Sequence, residues 1–308
     1  MSSIVSRGSS TTVQGRGEGP LRARCEVLAY RKLGGYHSLT FVAPEMAERA
    51  QPGQFVAVAV EAREATLRRP FSIYSVSQHG PWAGTVEIIF DVVGPGTRWL
   101  ATRSKHDVVD LVGPLGRPFP LPAQPVSCLL VGGGYGAAPL LYLAQALAQQ
   151  SLRVDMLLGA ATQERIFNAI EAKRLSASAQ FTTEDGSLGV EGVVTDVMPR
   201  MIEAAGTGVI YACGPMAMLA AVSAAAKELD VPCQVAVEEE MACGTGVCWT
   251  CVLPYRRKDG VVNLRACTDG PVFNGARVAW SAVGTSAMAN AEDGRGRGRR
   301  GGRAEPAP

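Results

Sequence analysis

The chain has 308 residues, 47% of them hydrophobic and 19% charged, with a formal net charge of +2. That balance excludes wholesale disorder, and the length suits two or three domains at roughly 150 residues each. The ends (1–20 and 292–308) carry seven Arg against four carboxylates. The body between them holds 23 basic and 24 acidic residues, which makes no electrostatic case for nucleic acid or a membrane surface.

Residues 1–20 are polar and Gly/Ser-rich, with no apolar core, and are expected to be a disordered tail without a secretory leader. From 21 to 122, short runs rich in β-branched and aromatic residues (Arg24–Arg31, Tyr36–Val42, Gln54–Val60, Thr85–Val92 and Val108–Val112) alternate with Gly/Pro turns. That pattern predicts a small antiparallel barrel or sandwich. The uncharged stretch from Pro118 to Leu152 is long enough to span a membrane, but Pro122, Pro125, Gly132, Gly133, Gly134, Gly136 and Pro139 interrupt it, so no span is expected.

From 123 to 232 the period changes. Strands are predicted at Val126–Val131, Val154–Gly159, Ala179–Thr183 and Val209–Cys213. Helices are predicted at Ala137–Gln150, Glu164–Leu175, Val193–Ala204 and Met216–Leu229, which implies a parallel sheet with covered faces. Residues 233–283 are Cys- and Gly-rich and form a third unit, with strands near Val252–Tyr255 and Gly260–Arg265. Residues 284–308 read as a second disordered tail.

Four of the eight cysteines fall within 25 residues: Cys243, Cys248, Cys251 and Cys267, spaced C-x4-C-x2-C with fifteen residues before the last. This is the plant-type [2Fe–2S] spacing, and thiolates are soft ligands suited to iron. Gly244 and Gly246 let the loop turn tightly, with amides turned toward sulfur. A zinc ribbon, with its two short paired knuckles, or unrelated buried thiols are the alternatives. Trp249, inside the loop, is a candidate contact for a partner protein, with packing in the small domain as its alternative.

Val131-Gly-Gly-Gly-Tyr-Gly-Ala-Ala-Pro follows a buried strand and opens a helix, so its amides could meet a pyrophosphate. The acid that usually ends the next strand is missing; Glu184 and Asp185 are candidate substitutes. Cys213-Gly214-Pro215 follows another buried strand and is either a ligand loop or an ordinary turn. In the barrel, Arg68-Arg69-Pro70-Phe71-Ser72-Ile73-Tyr74 offers a cation, a ring and a hydroxyl, and Gly94-Pro-Gly96-Thr97 offers backbone amides. A surface charge pair and a tight hairpin are the alternatives there.

In this order, with Ala266-Cys-Thr-Asp-Gly-Pro-Val-Phe273 at the end, the motifs resemble the ferredoxin-reductase superfamily. More closely, over residues 22–280, they resemble the iron–sulfur electron-transfer subunits of class 1B dihydroorotate dehydrogenase. The resemblance implies an antiparallel flavin-binding barrel, a parallel-sheet nucleotide domain and a small C-terminal [2Fe–2S] domain. It implies FAD held by Arg69, Pro70, Phe71, Ser72 and Ile73, with Ser72 near flavin N5. Gly94, Gly96 and Thr97 would hold the pyrophosphate. NAD would lie along Gly132, Gly133, Gly134, Gly136, Gly214 and Pro215, with Cys213 near hydride transfer and the four clustered cysteines on iron.

Phe71 stands where the wider superfamily often has Tyr, which loses a hydroxyl and keeps the ring. A relative that reduces ferredoxin has Asp in place of the first cluster cysteine, and Cys243 argues against it. The implied partner is an FMN-containing dihydroorotate dehydrogenase catalytic subunit, two of each in a cytoplasmic heterotetramer, so no general base for dihydroorotate is expected in this chain. Other flavin/iron–sulfur reductase subunits (a sulfide or hydrogenase diaphorase, or an oxygenase reductase) and a cluster-based redox sensor are the competing readings.

Overall fold

The computed structural model describes residues 19–62 and 65–284. The tails expected at 1–20 and 284–308 lie outside the described residues except at 19, 20 and 284.

The first half closes a six-stranded antiparallel barrel from β1 (Leu21–Leu33), β2 (Tyr36–Val42), β3 (Phe55–Val58), β4 (Arg69–Ser77), β5 (Thr85–Phe90) and β6 (Val108–Leu115), in the order β1-β2-β5-β4-β3-β6. Val27, Leu39, Phe41, Val56, Ile73, Ile88 and Leu111 fill its interior. Two short helices, α1 (Pro44–Arg49) and α2 (Pro95–Leu100), lie in its connections. At the seam, Asp110 on β6 takes Arg22 of β1 at 2.8 Å and Arg68 at 2.6 Å.

The stretch from Arg69 to Tyr74 is the start of β4, paired with β3 and β5, because its alternating residues complete the barrel wall. Gly94 to Thr97 is neither a free loop nor a hairpin but the cap and first turn of α2. The Thr97 hydroxyl accepts from the Val93 and Gly94 amides at 3.0 and 3.1 Å.

The second half is a seven-stranded sheet in the order β10-β9-β8-β7-β11-β12-β15. Its strands are β7 (Ser127–Gly133), β8 (Val154–Ala160), β9 (Ser178–Thr183), β10 (Val190–Glu191), β11 (Thr207–Cys213), β12 (Cys233–Ala236) and β15 (Val272–Asn274). Helix α3 (Ala137–Gln149) is apolar nearly all round because it is covered on both sides: it packs against β7 and β4, and the Tyr142 hydroxyl donates to the Ala50 carbonyl at 2.8 Å. Helix α5 (Val194–Ala205) buries Val194, Val197, Met198, Met201 and Ile202 as one stripe and stops at Gly206, φ 58°. Helix α6 (Met216–Glu228) follows β11.

The helix expected over Glu164–Leu175 is broken. A 3-10 turn at Gln163–Arg165 and α4 (Ala169–Leu175) flank Asn168, whose φ of 45° admits no continuous helix.

Strands on the far side of the expected boundary at 232/233 also join the nucleotide sheet. Cys233–Ala236 pairs in parallel with β11, and Val272–Asn274 returns antiparallel onto it, so the cysteine segment leaves and re-enters the nucleotide sheet. Only the hairpin of β13 (Val252–Arg257) and β14 (Gly260–Arg265) stands apart.

Candidate functional site

Two cavities open at the C-terminal ends of the parallel strands, where open α/β sheets take ligands. The larger, about 640 Å³, is lined by Gly133, Gly134, Tyr135, Gly159, Thr182, Glu184, Pro215 and Glu238, among others. The smaller, about 300 Å³, lies between barrel and sheet and is lined by Pro70, Phe71, Ser72, Thr97, Gly136 and residues 238–241, together with Phe55 and Tyr135. Tyr135 and Glu238 line both.

The glycines divide by role. Gly133 and Gly134 face the larger cavity, and a Cβ on Gly133 would stand 2.7 Å from Met218 Sδ. Gly136 faces the smaller cavity instead and packs so closely on the next loop that a Cβ would stand 2.6 Å from Gly214 Cα. Gly132 lines neither, because Leu158 and Ala137 fill the space beside it. Gly214 and Cys213 form the floor under Gly136. Burial pushes the Cys213 thiol well up.

In the barrel, the two adjacent arginines part. Arg68 is committed to Asp110. Arg69 turns toward α2, where a Cβ on Gly96 would stand 3.2 Å from its Nε. Ser72 and Phe71 line the smaller cavity, whereas Ile73 points into the barrel core and is fully buried. Gly94 and Gly96 belong to the cap of α2 and line neither cavity.

Of the two candidate acids after β9, Glu184 lines the larger cavity. Asp185 does not, and its carboxylate is taken by the Ser187 amide and hydroxyl at 3.0 and 2.6 Å. Beside Glu184, the Thr182 hydroxyl is buried without a partner. Arg165, the cation in that wall, is held by Asp91 at 2.7 Å and lies over the Tyr36 ring. Among the described residues, the cavity therefore offers acceptors for ribose hydroxyls and no free cation for an extra phosphate.

Sequence spacing does not single out Glu238, although it lies two residues past the end of β12. It keeps access to the cleft, yet surrounding protein raises its carboxyl above the usual range, while a hydrogen bond from Tyr135 opposes the rise.

Five residues beyond Glu238 the cysteine loop begins. The Cys243 sulfur accepts from the amides of Thr245, Val247 and Cys248 at 3.4, 3.3 and 3.5 Å; partial burial would raise this thiol, but these donors bring it down to about 6. Thr250 Oγ1 donates to Cys248 at 3.2 Å, and the Cys267 amide donates to Cys251 Sγ at 3.4 Å. Cys243 and Cys248 contact each other, as do Cys251 and Cys267. Among the described residues, no three His, Cys, Asp or Glu side chains are gathered on one point. Two cysteine pairs suit a two-iron core better than a single zinc ion. Thr268 Oγ1, next to Cys267, is buried without a partner, as a donor to an inorganic sulfide would be. The loop rests on the barrel: a Cβ on Gly244 would stand 3.7 Å from the Phe55 ring, whose residue lines the smaller cavity.

Residues 238–279 match the iron–sulfur cluster binding domain of dihydroorotate dehydrogenase B, and 130–224 match an oxidoreductase NAD-binding domain. The chain is 39% identical over 243 residues to the dihydroorotate dehydrogenase B (NAD(+)) electron transfer subunit of Desulforamulus reducens, covering 79% of this chain and 92% of that one. The chain belongs to the family of dihydroorotate dehydrogenase B electron transfer subunits. The subunit from Geobacillus thermodenitrificans is 36% identical over 261 residues, covering 83% and 98% of the two chains. Among solved structures, an NADH-dependent reduced ferredoxin-NADP oxidoreductase aligns at TM-score 0.75 and 30% identity, covering 89% of this chain and 96% of that one. The ferredoxin reductase of carbazole 1,9a-dioxygenase shares the fold at TM-score 0.58 and 24% identity, covering 69% and 66%. An electron transfer subunit of this family is an oxidoreductase that uses FAD, an iron–sulfur cluster and NAD, on a ferredoxin-reductase-like fold.

Proposed function

We propose that this chain serves an NAD+-linked dihydroorotate dehydrogenase, carrying electrons from an FMN-containing catalytic subunit to NAD+ in pyrimidine biosynthesis. Bound nicotinamide exchanges an electron pair as hydride, an iron–sulfur cluster exchanges single electrons, and FAD does both. The observation that carries the reading is continuity. The two cavities share Tyr135 and Glu238, and the wall of the second runs through Glu238–Met241 into the loop that opens at Cys243.

Within this reading each residue binds or orients. Gly133, Gly134 and Pro215 leave room for the nicotinamide nucleotide, and Gly132 and Gly214 keep strand and loop close beneath it. Glu184 and Thr182 accept from its ribose. Phe71, Pro70 and Ser72, which line the smaller cavity, would hold the flavin, the first two by apolar cover and Ser72 through its hydroxyl. Arg69 supplies charge to the flavin phosphates, while Gly94, Gly96 and Thr97 shape the turn that receives them. Ile73 acts from behind as barrel packing, and Cys213 packs under the nicotinamide. Cys243, Cys248, Cys251 and Cys267 hold a [2Fe–2S] core.

The assembly is proposed as two copies of each subunit, in the cytoplasm. The eight free thiols among the described residues suit a reducing compartment, and no described helix is long and apolar enough to cross a membrane. Val247 and Trp249, 78% and 54% exposed beside the cysteines, mark the proposed partner contact.

Assays on the purified subunit test the reading. It should be yellow-brown, with FAD and about two iron and two sulfide per chain, and should reduce dyes with NADH. Dihydroorotate should be oxidised only after the catalytic subunit is added. Oxidation by this chain alone, or a colourless zinc protein, would overturn the proposal.

A further inference from the structure

The cysteine loop is closed by a side chain that carries no sulfur. Arg265, two residues before Cys267, sends Nη1 to the Gly246 carbonyl at 3.0 Å and lays its guanidinium over Trp249, 5.0 Å from the ring centroid. Both contacts fall on strained points. Gly246 has φ +83°, and a Cβ there would stand 2.8 Å from Thr268 Cγ2; Trp249 has φ 57°, unusual for a residue with a large side chain. Arg265 thus ties the C-x4-C and C-x2-C turns to the strand that delivers the fourth cysteine. Its only carboxylate among the described residues is Asp269, 3.6 Å from Nε, and Asp269 Oδ2 also accepts from the Arg265 amide at 2.9 Å. Arg265 is 33% exposed and Asp269 28%, so solvent screens both charges only in part.

We propose that Arg265 is a positioning residue that sets the reduction potential of the iron site: its guanidinium, locked between Gly246 and Trp249, keeps a positive charge on the cysteine loop, with Asp269 as its counterweight. One-electron reduction adds one negative charge inside the loop, and a fixed cation favours that state. Arg265 therefore holds the potential up, and Asp269 holds it down. The inference rests on the cluster reading above and adds to it which charges tune the site.

The test is dye-mediated redox titration of the purified full-length chain, followed by electron paramagnetic resonance, with iron and sulfide measured in parallel. Arg265→Gln keeps a hydrogen-bond donor and removes the charge. It should retain wild-type iron and show a more negative midpoint, while Arg265→Lys stays near wild type. Asp269→Asn, which can still accept from the Arg265 amide, should move the midpoint in the opposite direction. If Arg265→Gln sheds its cluster, the Asp269→Asn shift decides. An unchanged midpoint in Asp269→Asn, or in an iron-replete Arg265→Gln, overturns the tuning role while leaving the cluster reading intact. Absence of acid-labile sulfide from the wild type overturns both.

Discussion

Tyr135 and Glu238 meet at the wall shared by the two cavities, where the Tyr135 hydroxyl opposes the burial that raises the Glu238 carboxyl. One residue comes from the glycine loop after β7 and the other from the end of β12, so the pair joins the nucleotide side to the flavin side. Loss of a hydrogen bond to a charged group costs about 1.5–3 kcal/mol, so Glu238→Ala, which removes the acceptor, should lower NADH–dye kcat/KM about tenfold or more. Burial raises the folded pKa of Glu238. Its ionisation therefore disfavours the folded state, and its contribution is best at low pH and lost as pH rises through the folded value. Glu238→Gln should then melt at a higher temperature than wild type at neutral pH, with the difference fading in acid. Calorimetry across pH reads this directly.

On the proposed function, Glu184 sets the coenzyme choice. It faces the larger cavity, while the cation in that wall, Arg165, is tied to Asp91. Glu184→Gln should raise KM for NADH about tenfold, as loss of a charge-assisted hydrogen bond implies, and should narrow the preference over NADPH. Steady-state kinetics with both coenzymes settles it. Equal effects on the two would place Glu184 outside the ribose site.

Gly136 is a packing constraint as well as a cavity wall. An added Cβ meets backbone on the facing loop, 2.6 Å from Gly214 Cα and 2.8 Å from the Cys213 carbonyl oxygen. Gly136→Ala should cost about 1–3 kcal/mol in denaturant unfolding and weaken FAD retention, since the loop must move away from the flavin side. Retention is read by the flavin-to-protein absorbance ratio after gel filtration.

Asp110 closes the barrel seam with Arg22 and Arg68. Partial burial opposes its charge, but the two arginine hydrogen bonds win and hold its carboxyl below the usual range. A depressed carboxylate stabilises the fold above its unfolded pKa, about 3.9, and the benefit is lost as pH falls through the folded value. Asp110→Asn should be less stable at pH 7 and should lose less additional stability below about pH 4. Acid titration followed by circular dichroism compares the two slopes.

What the sequence made legible was chemistry with a fixed spacing. The cysteine quartet announces itself because ligands to one small core must sit at short, set intervals, and the glycine run because a turn after a buried strand tolerates no side chains. Glu238 escaped notice because its meaning depends on β12 lying beside β11, a pairing between separate segments that four residues of sequence cannot signal. Ile73 and Thr97 show what sequence proximity hides: the Ile73 side chain faces the barrel core by strand alternation, and the Thr97 hydroxyl serves its own helix cap while its residue lines the smaller cavity. Asp185 and Glu184 are adjacent and equally acidic, and only the Ser187 turn separates their roles.

The return of β15 onto β12 has an architectural consequence. The cysteine segment is stitched into the nucleotide sheet at both ends, so it cannot be swapped in or out like a cartridge: excising it would bare the flank of β12 to pairing with other chains. Electron carriers held on such a frame would keep a constant spacing, and traffic between them would need no domain to swing.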